Sequence, residues 1–183
     1  MSRVFHFQSL MVLIVIMVAF STANAITTWY DDPYQIMNEI HDGRDMEMAD
    51  IDNDGDQDIV YTARSDEFGN VVLLVNIGAE EFVPVILDGN FVGATDAAIG
   101  DLDSDGDLDV VVTGTNRVKW YRNNGGNLFT AIAINVNSSE SLAVDMADMN
   151  ADGEMDVVAC SVNSGTIIYF ANDGEETFTT NII

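Results

Sequence analysis

The chain has 183 residues and carries 31 acidic side chains against six Lys and Arg, which gives a formal net charge of −25 at pH 7. Hydrophobic residues make up 48%, so the composition excludes a disordered acidic tail, while the charge argues against binding to nucleic acid or to an anionic membrane surface. The length suits one domain.

The first 25 residues have the three-part pattern of a secretory signal peptide. Arg3 gives a positive start, an uncharged apolar run occupies residues 10–20, and Ala23-Asn24-Ala25 is a typical cleavage site. We expect cleavage after Ala25, which leaves a mature chain with one positive charge fewer. An uncleaved signal anchor is the alternative, although the apolar run is short for a membrane span. The pattern predicts a protein that is secreted, periplasmic or displayed at the cell surface.

A lead-in over residues 26–43 precedes the main part of the chain. It contains His41, the only histidine after the signal, which lies beside a turn and is more typical of a surface residue than of a catalyst. Cys160 is the only cysteine, so no intrachain disulfide can form, and its apolar surroundings predict a buried side chain. A small exported domain without disulfides often depends on bound metal instead.

An acidic nonapeptide occurs three times, which indicates a repeat architecture. Fourteen of the 31 acidic residues lie in these three segments, at 50–58, 101–109 and 148–156. A second motif, Asn-x-Gly-x-x-x-Phe, follows each nonapeptide, at 76–82, 123–129 and 172–178. Its Asn and Gly favour a turn, and its Phe opens an apolar segment.

The segments between these motifs have the alternation and the β-branched residues of short strands. Apolar residues alternate before each nonapeptide, as in Met46 and Met48, and a β-branched run such as Val110–Val112 follows it. The pattern predicts an all-β protein with three four-stranded antiparallel repeats, at about 44–87, 94–134 and 141–183, arranged as β-propeller blades.

The nonapeptides have the donor pattern of calcium loops. Carboxylates at positions 1, 3, 5 and 9, with a carbonyl available at position 7, provide the oxygen ligands that Ca²⁺ prefers, and Gly at position 6 permits a sharp turn. An EF-hand is excluded because position 12 is Tyr61, Val112 or Ala159 instead of Glu. Solvated Asp-Gly turns are the alternative for a single loop, but three copies in register favour metal binding.

These two motifs together resemble the FG-GAP-like (VCBS-type) calcium-binding β-propeller repeats, relatives of the integrin α-chain blades, over about residues 44–183. The Phe-Gly and Gly-Ala-Pro pairs of integrin blades are not in register here. The resemblance implies one Ca²⁺ in each loop, with position 7 contributing its carbonyl, and Asn150 predicts a weaker third site because it lacks a charge. The implied ligands are Asp50, Asp52, Asp54, Asp56 and Asp58; Asp101, Asp103, Asp105, Asp107 and Asp109; and Asp148, Asn150, Asp152, Glu154 and Asp156.

Three repeats are too few for a closed propeller, which has about four to eight blades. We expect Tyr34–Ile40 to supply an outer strand to the first blade, and each later blade to take its outer strand from the Phe-led segment before it. That arrangement leaves Phe178–Ile183 as an unpaired apolar edge. The chain is then a piece of a longer propeller, an open arc, or a protein that self-associates through this edge or pairs with a partner.

No motif of an enzyme class stands out. A glycosidase uses paired carboxylates, but their tandem spacing here favours calcium. The aromatic residues are expected to pack between strands and not to stack on a sugar: Trp29, Tyr30, Trp120 and Tyr121. The sequence predicts an exported, non-catalytic calcium-binding module for recognition of an extracellular protein, glycan or surface, or for adhesion. The alternative is a propeller appendage of a secreted polysaccharide-degrading enzyme whose catalytic domain is absent from this chain.

Overall fold

The computed structural model describes residues 42–64, 70–79, 81–135, 141–161 and 164–183, all within the compact unit His41–Ile183. The predictions for the signal peptide, for the lead-in up to His41, for the strand Tyr34–Ile40 and for Trp29 and Tyr30 lie outside these residues. The described chain is all β, and none of it forms a helix long and apolar enough to cross a membrane.

Twelve strands form three antiparallel sheets of four, which we call blades 1 to 3, and within each blade the strands neighbour one another in chain order. Blade 1 contains β1 (Gly43–Ala49), β2 (Asp58–Ala63), β3 (Asn70–Asn76) and β4 (Phe82–Asp88). Blade 2 contains β5 (Asp96–Gly100), β6 (Asp109–Gly114), β7 (Arg117–Asn123) and β8 (Phe129–Asn135). Blade 3 contains β9 (Ser141–Ala147), β10 (Asp156–Ser161), β11 (Thr166–Asn172) and β12 (Phe178–Ile182).

The predicted fold class, three four-stranded antiparallel repeats, is confirmed, but the expected exchange of outer strands is wrong. Each Phe-led strand is the fourth strand of its own blade, so β12 pairs with β11 through Phe178 opposite Asn172. The short turn that begins at the motif's Asn brings the chain straight back along the strand it has just left. The Phe-led segment therefore completes its own sheet instead of crossing to the next.

Strand register closes each acidic loop. The residue just before the nonapeptide lies opposite its ninth residue, as in Ala49 opposite Asp58 and Gly100 opposite Asp109. Ala147 opposite Asp156 repeats the arrangement in blade 3. Both ends of every nonapeptide are thus held side by side, and its inner residues form a closed loop at one end of the blade.

The blades pack face to face through two hydrophobic cores. The first core joins blades 1 and 2 and includes Ile51 and Leu73 with Tyr121, all of which are buried. The second joins blades 2 and 3 through Trp120 and Phe170. Burial of Trp120 and Tyr121 agrees with their predicted packing role. At about 1.5 to 3 kcal/mol for each large apolar side chain removed from water, these interfaces supply much of the stability.

The packed series of blades ends at blade 3 in the described part of the chain, so the arrangement is open. At loop position 2, Ile51 and Leu102 are fully buried by the following blade, whereas Met149 is 52% exposed. Ile167 of β11 is 47% exposed. Cys160 is only partly buried, less than predicted, because its side chain lies on the face of β10 opposite to Val157 and Ala159, which pack in the core shared with blade 2.

Candidate metal centre

The acidic loops share an unusual backbone conformation at position 6. The glycines at position 6, Gly55, Gly106 and Gly153, have φ values of 99°, 96° and 99°, which residues with a Cβ rarely adopt. The amide of this glycine points into the loop: the Gly55 N–H donates to Asp50 Oδ2 at 3.0 Å. The predicted role of this glycine in a sharp turn therefore has a direct geometric basis.

Loop 1 (residues 50–58) brings three of its five predicted ligands together. Carboxylate oxygens of Asp50, Asp52 and Asp54 all lie within 4.8 Å of one another. The Asp56 N–H donates to Asp54 Oδ1 at 2.9 Å, and this hydrogen bond holds the Asp54 side chain close to the backbone of position 7. Asp58 is not part of this close group.

Loop 2 (residues 101–109) gathers a slightly different set. Carboxylate oxygens of Asp101, Asp103 and Asp109 lie within 4.8 Å of one another. Asp105 is not part of this close group, although it accepts the Asp107 N–H at 2.9 Å as Asp54 accepts the Asp56 N–H in loop 1. Burial raises the pKa of Asp103, and the nearby charges of Asp105 and Asp101 add to the shift.

Three carboxylate oxygens in these loops are buried and have no hydrogen-bond partner in the described chain: Asp50 Oδ1, Asp52 Oδ1 and Asp103 Oδ1. A buried carboxylate oxygen without a donor is costly, since nothing replaces the water it has lost. A hard divalent cation is the partner that suits several such oxygens in one place. The donor set of loops 1 and 2 therefore fits an oxygen-coordinated cation.

Loop 3 (residues 148–156) has the same backbone course but pairs its polar groups internally. Asp148 Oδ2 accepts from Gly153 N–H at 3.0 Å, as in the other loops. The Asn150 amide donates to Asp152 Oδ2 at 2.7 Å, an interaction that a carboxylate at position 3 would not make. No close acidic group of three occurs among the described residues of this loop.

The ninth-position aspartates also tie the loop to the third strand of the blade, a role that the sequence did not reveal. Asp58, Asp109 and Asp156 are fully buried. In loop 2, the Leu102 N–H donates to Asp109 Oδ2 at 3.0 Å and the Asn123 N–H to Asp109 Oδ1 at 2.7 Å. Burial raises the pKa of Asp109 to about 7, although these two backbone donors oppose the shift.

The side chains at position 7 of loops 2 and 3 form hydrogen bonds to the neighbouring loop, whereas the resemblance implied a role only for the carbonyl at this position. The side chain of Asp107 accepts the Asn53 amide of loop 1 at 3.2 Å, and Glu154 accepts the Ser104 hydroxyl of loop 2 at 3.1 Å. These hydrogen bonds join neighbouring blades. Their only sequence signal was an acidic residue kept at position 7 of every repeat.

Sequence reasoning also missed Asn123 and Asn172, the first residues of the second motif in blades 2 and 3. Asn123 Nδ2 donates to the Ile51 carbonyl at 3.1 Å, and Asn172 Nδ2 to the Leu102 carbonyl at 2.8 Å. Both acceptors lie in the acidic loop of the preceding blade. The identical spacing of the motif in all three repeats was the signal that something more than a turn depended on it.

Comparison with known proteins agrees with this architecture. The sequence profile of the FG-GAP-like repeat matches residues 50–112 and 101–159. A solved lectin from Agrocybe aegerita, described as recognising non-reducing terminal N-acetylglucosamine, shares 21% identity with a TM-score of 0.54. The match covers 78% of this chain but 39% of the lectin, so the chain spans well under half of its length. No curated protein matches the chain.

The two profile matches overlap and together span residues 50–159, which include all three acidic loops. They extend over more than half of the sequence, and the lectin has a similar fold. The chain belongs to the FG-GAP-like repeat family.

Proposed function

We propose that the protein is an exported, non-catalytic calcium-binding module that recognises an extracellular ligand or surface. The observation that supports calcium most directly is the set of buried carboxylate oxygens without donors in loops 1 and 2. Solvated turns would leave these oxygens in water. A cation would satisfy them together and remove the repulsion between the acids of each loop.

Calcium suits the loops better than magnesium does. Ca²⁺ accepts six to eight oxygens in flexible geometry and takes both carboxylate and backbone oxygens, whereas Mg²⁺ keeps several of its waters. The predicted ligands are therefore retained as a proposal: positions 1, 3, 5 and 9 through side chains and position 7 through its carbonyl. When bound, calcium would offset part of the negative charge of each loop and stiffen the end of its blade.

Titration with calcium tests this proposal. Extracellular calcium modules bind with dissociation constants of about 10⁻⁴ to 10⁻³ M, so about 10 mM Ca²⁺ should stabilise the protein by at least 1 kcal/mol per site. We expect the midpoint of thermal unfolding to rise by several degrees, and Asp103→Asn to reduce the rise. Asp42→Asn, an exposed acid outside the loops, is the matched control. An unchanged midpoint in Ca²⁺ would refute calcium binding.

Recognition of a ligand is the second part of the proposal. Membership of the FG-GAP-like family favours a binding module over an enzyme, and the signal-like pattern of the N-terminus supports the proposal of export. Because a lectin shares the fold, we propose glycans as the first ligand class to test. A glycan array probed with and without a calcium chelator should show calcium-dependent binding; a blank array would direct the search to protein ligands.

The alternative remains a propeller appendage of a secreted polysaccharide-degrading enzyme. It would also bind glycan, but it would be joined to a catalytic domain. Extending the gene sequence beyond codon 183 separates the two proposals, because further blades support a recognition module and a hydrolase domain supports the appendage.

A further inference from the structure

Two acidic loops each receive a side-chain amide from the blade that follows them. Asn123 Nδ2 donates to the carbonyl of Ile51 in loop 1, and Asn172 Nδ2 donates to the carbonyl of Leu102 in loop 2. Both acceptors are at loop position 2, between the predicted ligands at positions 1 and 3. Both hydrogen bonds are buried, so water does not compete for them.

The same amides also bind the loop of their own blade. Asn123 Nδ2 is 3.2 Å from the Leu108 carbonyl, and Asn172 Nδ2 is 3.0 Å from the Met155 carbonyl, both at loop position 8. Among the described residues, Asn76 makes only this second kind of bond, to the Gln57 carbonyl at 3.2 Å. Asn123 and Asn172 therefore each bridge two loops, while Asn76 holds one, which makes Asn76 a natural control.

A second hydrogen bond accompanies each bridge. The side chain at position 4 of one loop donates to the side chain at position 7 of the next, from Asn53 to Asp107 and from Ser104 to Glu154. Position 4 of loop 3 is Ala151, which has no side-chain donor. Among the described residues, loop 3 also receives no amide from another blade. In the described part of the chain, loops 1 and 2 therefore each form side-chain hydrogen bonds to the following blade, whereas loop 3 forms none to another blade beyond it.

We propose that Asn123 and Asn172 are positioning residues for the cation sites of loops 1 and 2, so that the calcium affinity of a loop depends on the blade packed behind it. This inference rests on the proposed calcium function. A donor fixed on the position 2 carbonyl sets the direction of the ligands on either side of it. Loss of such outer partners typically costs 10- to 100-fold in metal affinity. By linkage, calcium in a loop also strengthens the packing of the next blade.

The inference gives a second cause for a weak third site. Loop 3 lacks one charge, because Asn150 replaces an acid, and no described residue donates a side-chain amide to it from another blade. Asn150→Asp restores only the charge. We therefore expect the loop 3 affinity of Asn150→Asp to remain about tenfold below that of loop 2. Equal affinities of the two loops in this variant would overturn the inference.

Each loop can be followed separately by NMR on the ¹⁵N-labelled protein. The amides of Gly55, Gly106 and Gly153 donate to the position 1 carboxylate of their own loop, so their chemical shifts should change when a cation binds there. Titration with CaCl₂ then yields three site affinities. We expect Asn172→Ala to weaken loop 2 about tenfold and to leave loop 1 unchanged.

Asn76→Ala is the matched control, because it removes the same bonds within a blade but no bond to another blade. It should leave the affinity of the loop that Asn76 contacts, loop 1, within about twofold of the parent value. Ser104→Ala provides a second test at an exposed position where folding is not at risk. It should also weaken loop 2, by a smaller factor, because it removes the bond to Glu154.

The outcomes separate this inference from the proposed function. Calcium binding by the parent protein tests the function, and the difference between Asn172→Ala and Asn76→Ala tests the inference. A parent protein that binds calcium while Asn172→Ala and Ser104→Ala both leave loop 2 unaffected would overturn the inference alone. No shift of any of the three glycine amides in the parent protein would overturn both.

Discussion

At the fourth position of each acidic loop, the backbone adopts the left-handed conformation, with φ values of 60° at Asn53, 59° at Ser104 and 63° at Ala151. Asn tolerates this region because its short polar side chain can bond locally, whereas a side chain such as Ala pays about 1 kcal/mol or more. Loop 3 therefore contains a strained residue at a position where loop 1 has a suitable one.

We expect Ala151→Asn to stabilise the protein. Asn removes most of the cost of the left-handed backbone, so the free energy of unfolding should rise by about 0.5 to 1 kcal/mol. Urea unfolding in EDTA measures the effect without any contribution from bound metal.

Ala131→Asn is the control for this substitution. Ala131 is exposed on β8, and its backbone is not left-handed, so Asn should be neutral there or slightly destabilising because it is a poor strand residue. An Ala151→Asn variant no more stable than the parent would show that the loop backbone is not a source of strain.

For single residues, the sequence predicted part of the candidate site. The spacing of Asp50, Asp52 and Asp54 indicated side chains that converge, and a close group of these three is present. The reach of Asn123 into the preceding blade was not predictable, because it depends on how two sheets pack. The full burial of Asp109 also depends on that packing and not on the local pattern.

Carboxylates also link the first strands of neighbouring blades. Asp45 of β1 accepts the Ala97 N–H of β5 at 3.0 Å, and Asp96 of β5 accepts the Val144 N–H of β9 at 2.7 Å. The equivalent residue of β9 is Ala143, which cannot accept such a bond. These links stabilise each interface, but they bring acids from different blades together.

Two acids on these strands have raised pKa values, through burial first and the charges of neighbouring acids second. Burial raises the pKa of Asp96, and the charge of Asp45 adds to the shift. Burial likewise raises the pKa of Glu47, with smaller effects from Asp45, Asp96 and Asp145. A folded-state pKa above the unfolded value means that the folded protein holds the proton more tightly. The stability from such a group is present below pH 4 and is lost as the pH rises through the folded pKa.

Asp45→Asn should therefore stabilise the protein at pH 7 but much less at pH 4. The Asn side-chain oxygen can still accept the Ala97 N–H, while the repulsion of Asp96 is removed. We expect a gain of about 0.5 kcal/mol at pH 7, the size typical of partly exposed charge interactions. Chemical unfolding at pH 4 and pH 7 in EDTA measures the difference.

Asp88→Asn is a control of opposite sign. Burial raises the pKa of Asp88, but hydrogen bonds from Lys119 at 2.6 Å and from other donors outweigh it, so its pKa is lowered. Its contribution is present above the unfolded pKa and lost as the pH falls. Asp88→Asn should destabilise the protein more at pH 7 than near pH 3. The same pH trend in Asp45→Asn and Asp88→Asn would contradict the pKa assignments.

Strands were more predictable than their partners. Alternation and β-branched runs indicated where the strands lie, because both patterns depend on the local environment of each side chain and not on which strand lies beside it. They did not indicate that β12 pairs with β11, since an apolar edge segment such as Phe178–Ile182 could complete its own blade or another. Exposure of Met46 and Met48 was likewise not visible in the alternation, which predicted one apolar face.

The three acidic loops lie at corresponding ends of their blades, because each connects the first strand of a blade to the second. The hydrogen bonds from Asn53 to Asp107 and from Ser104 to Glu154 show that neighbouring loops touch. Fourteen acidic side chains are therefore concentrated at one end of a protein whose net charge is −25. Without bound metal, repulsion there acts on both interfaces between blades.

Added salt should therefore stabilise the metal-free protein. The screening length falls from about 30 Å at 0.01 M salt to about 3 Å at 1 M, so repulsion between neighbouring loops is largely removed. We expect the midpoint of thermal unfolding in EDTA to rise by several degrees between 0.01 and 1 M NaCl. In 10 mM CaCl₂ the same increase in NaCl should have a smaller effect, because bound calcium has already offset part of the negative charge of the loops.

Tetramethylammonium chloride distinguishes screening from sodium binding in the loops. This cation is too large for a site lined by three carboxylates within 4.8 Å, yet it screens as a monovalent ion does. An equal rise in the two salts indicates long-range repulsion, as expected from the charge concentrated at one end. A rise in NaCl alone would place the effect inside the loops, and a midpoint independent of either salt would show that the acidic end does not strain the folded protein.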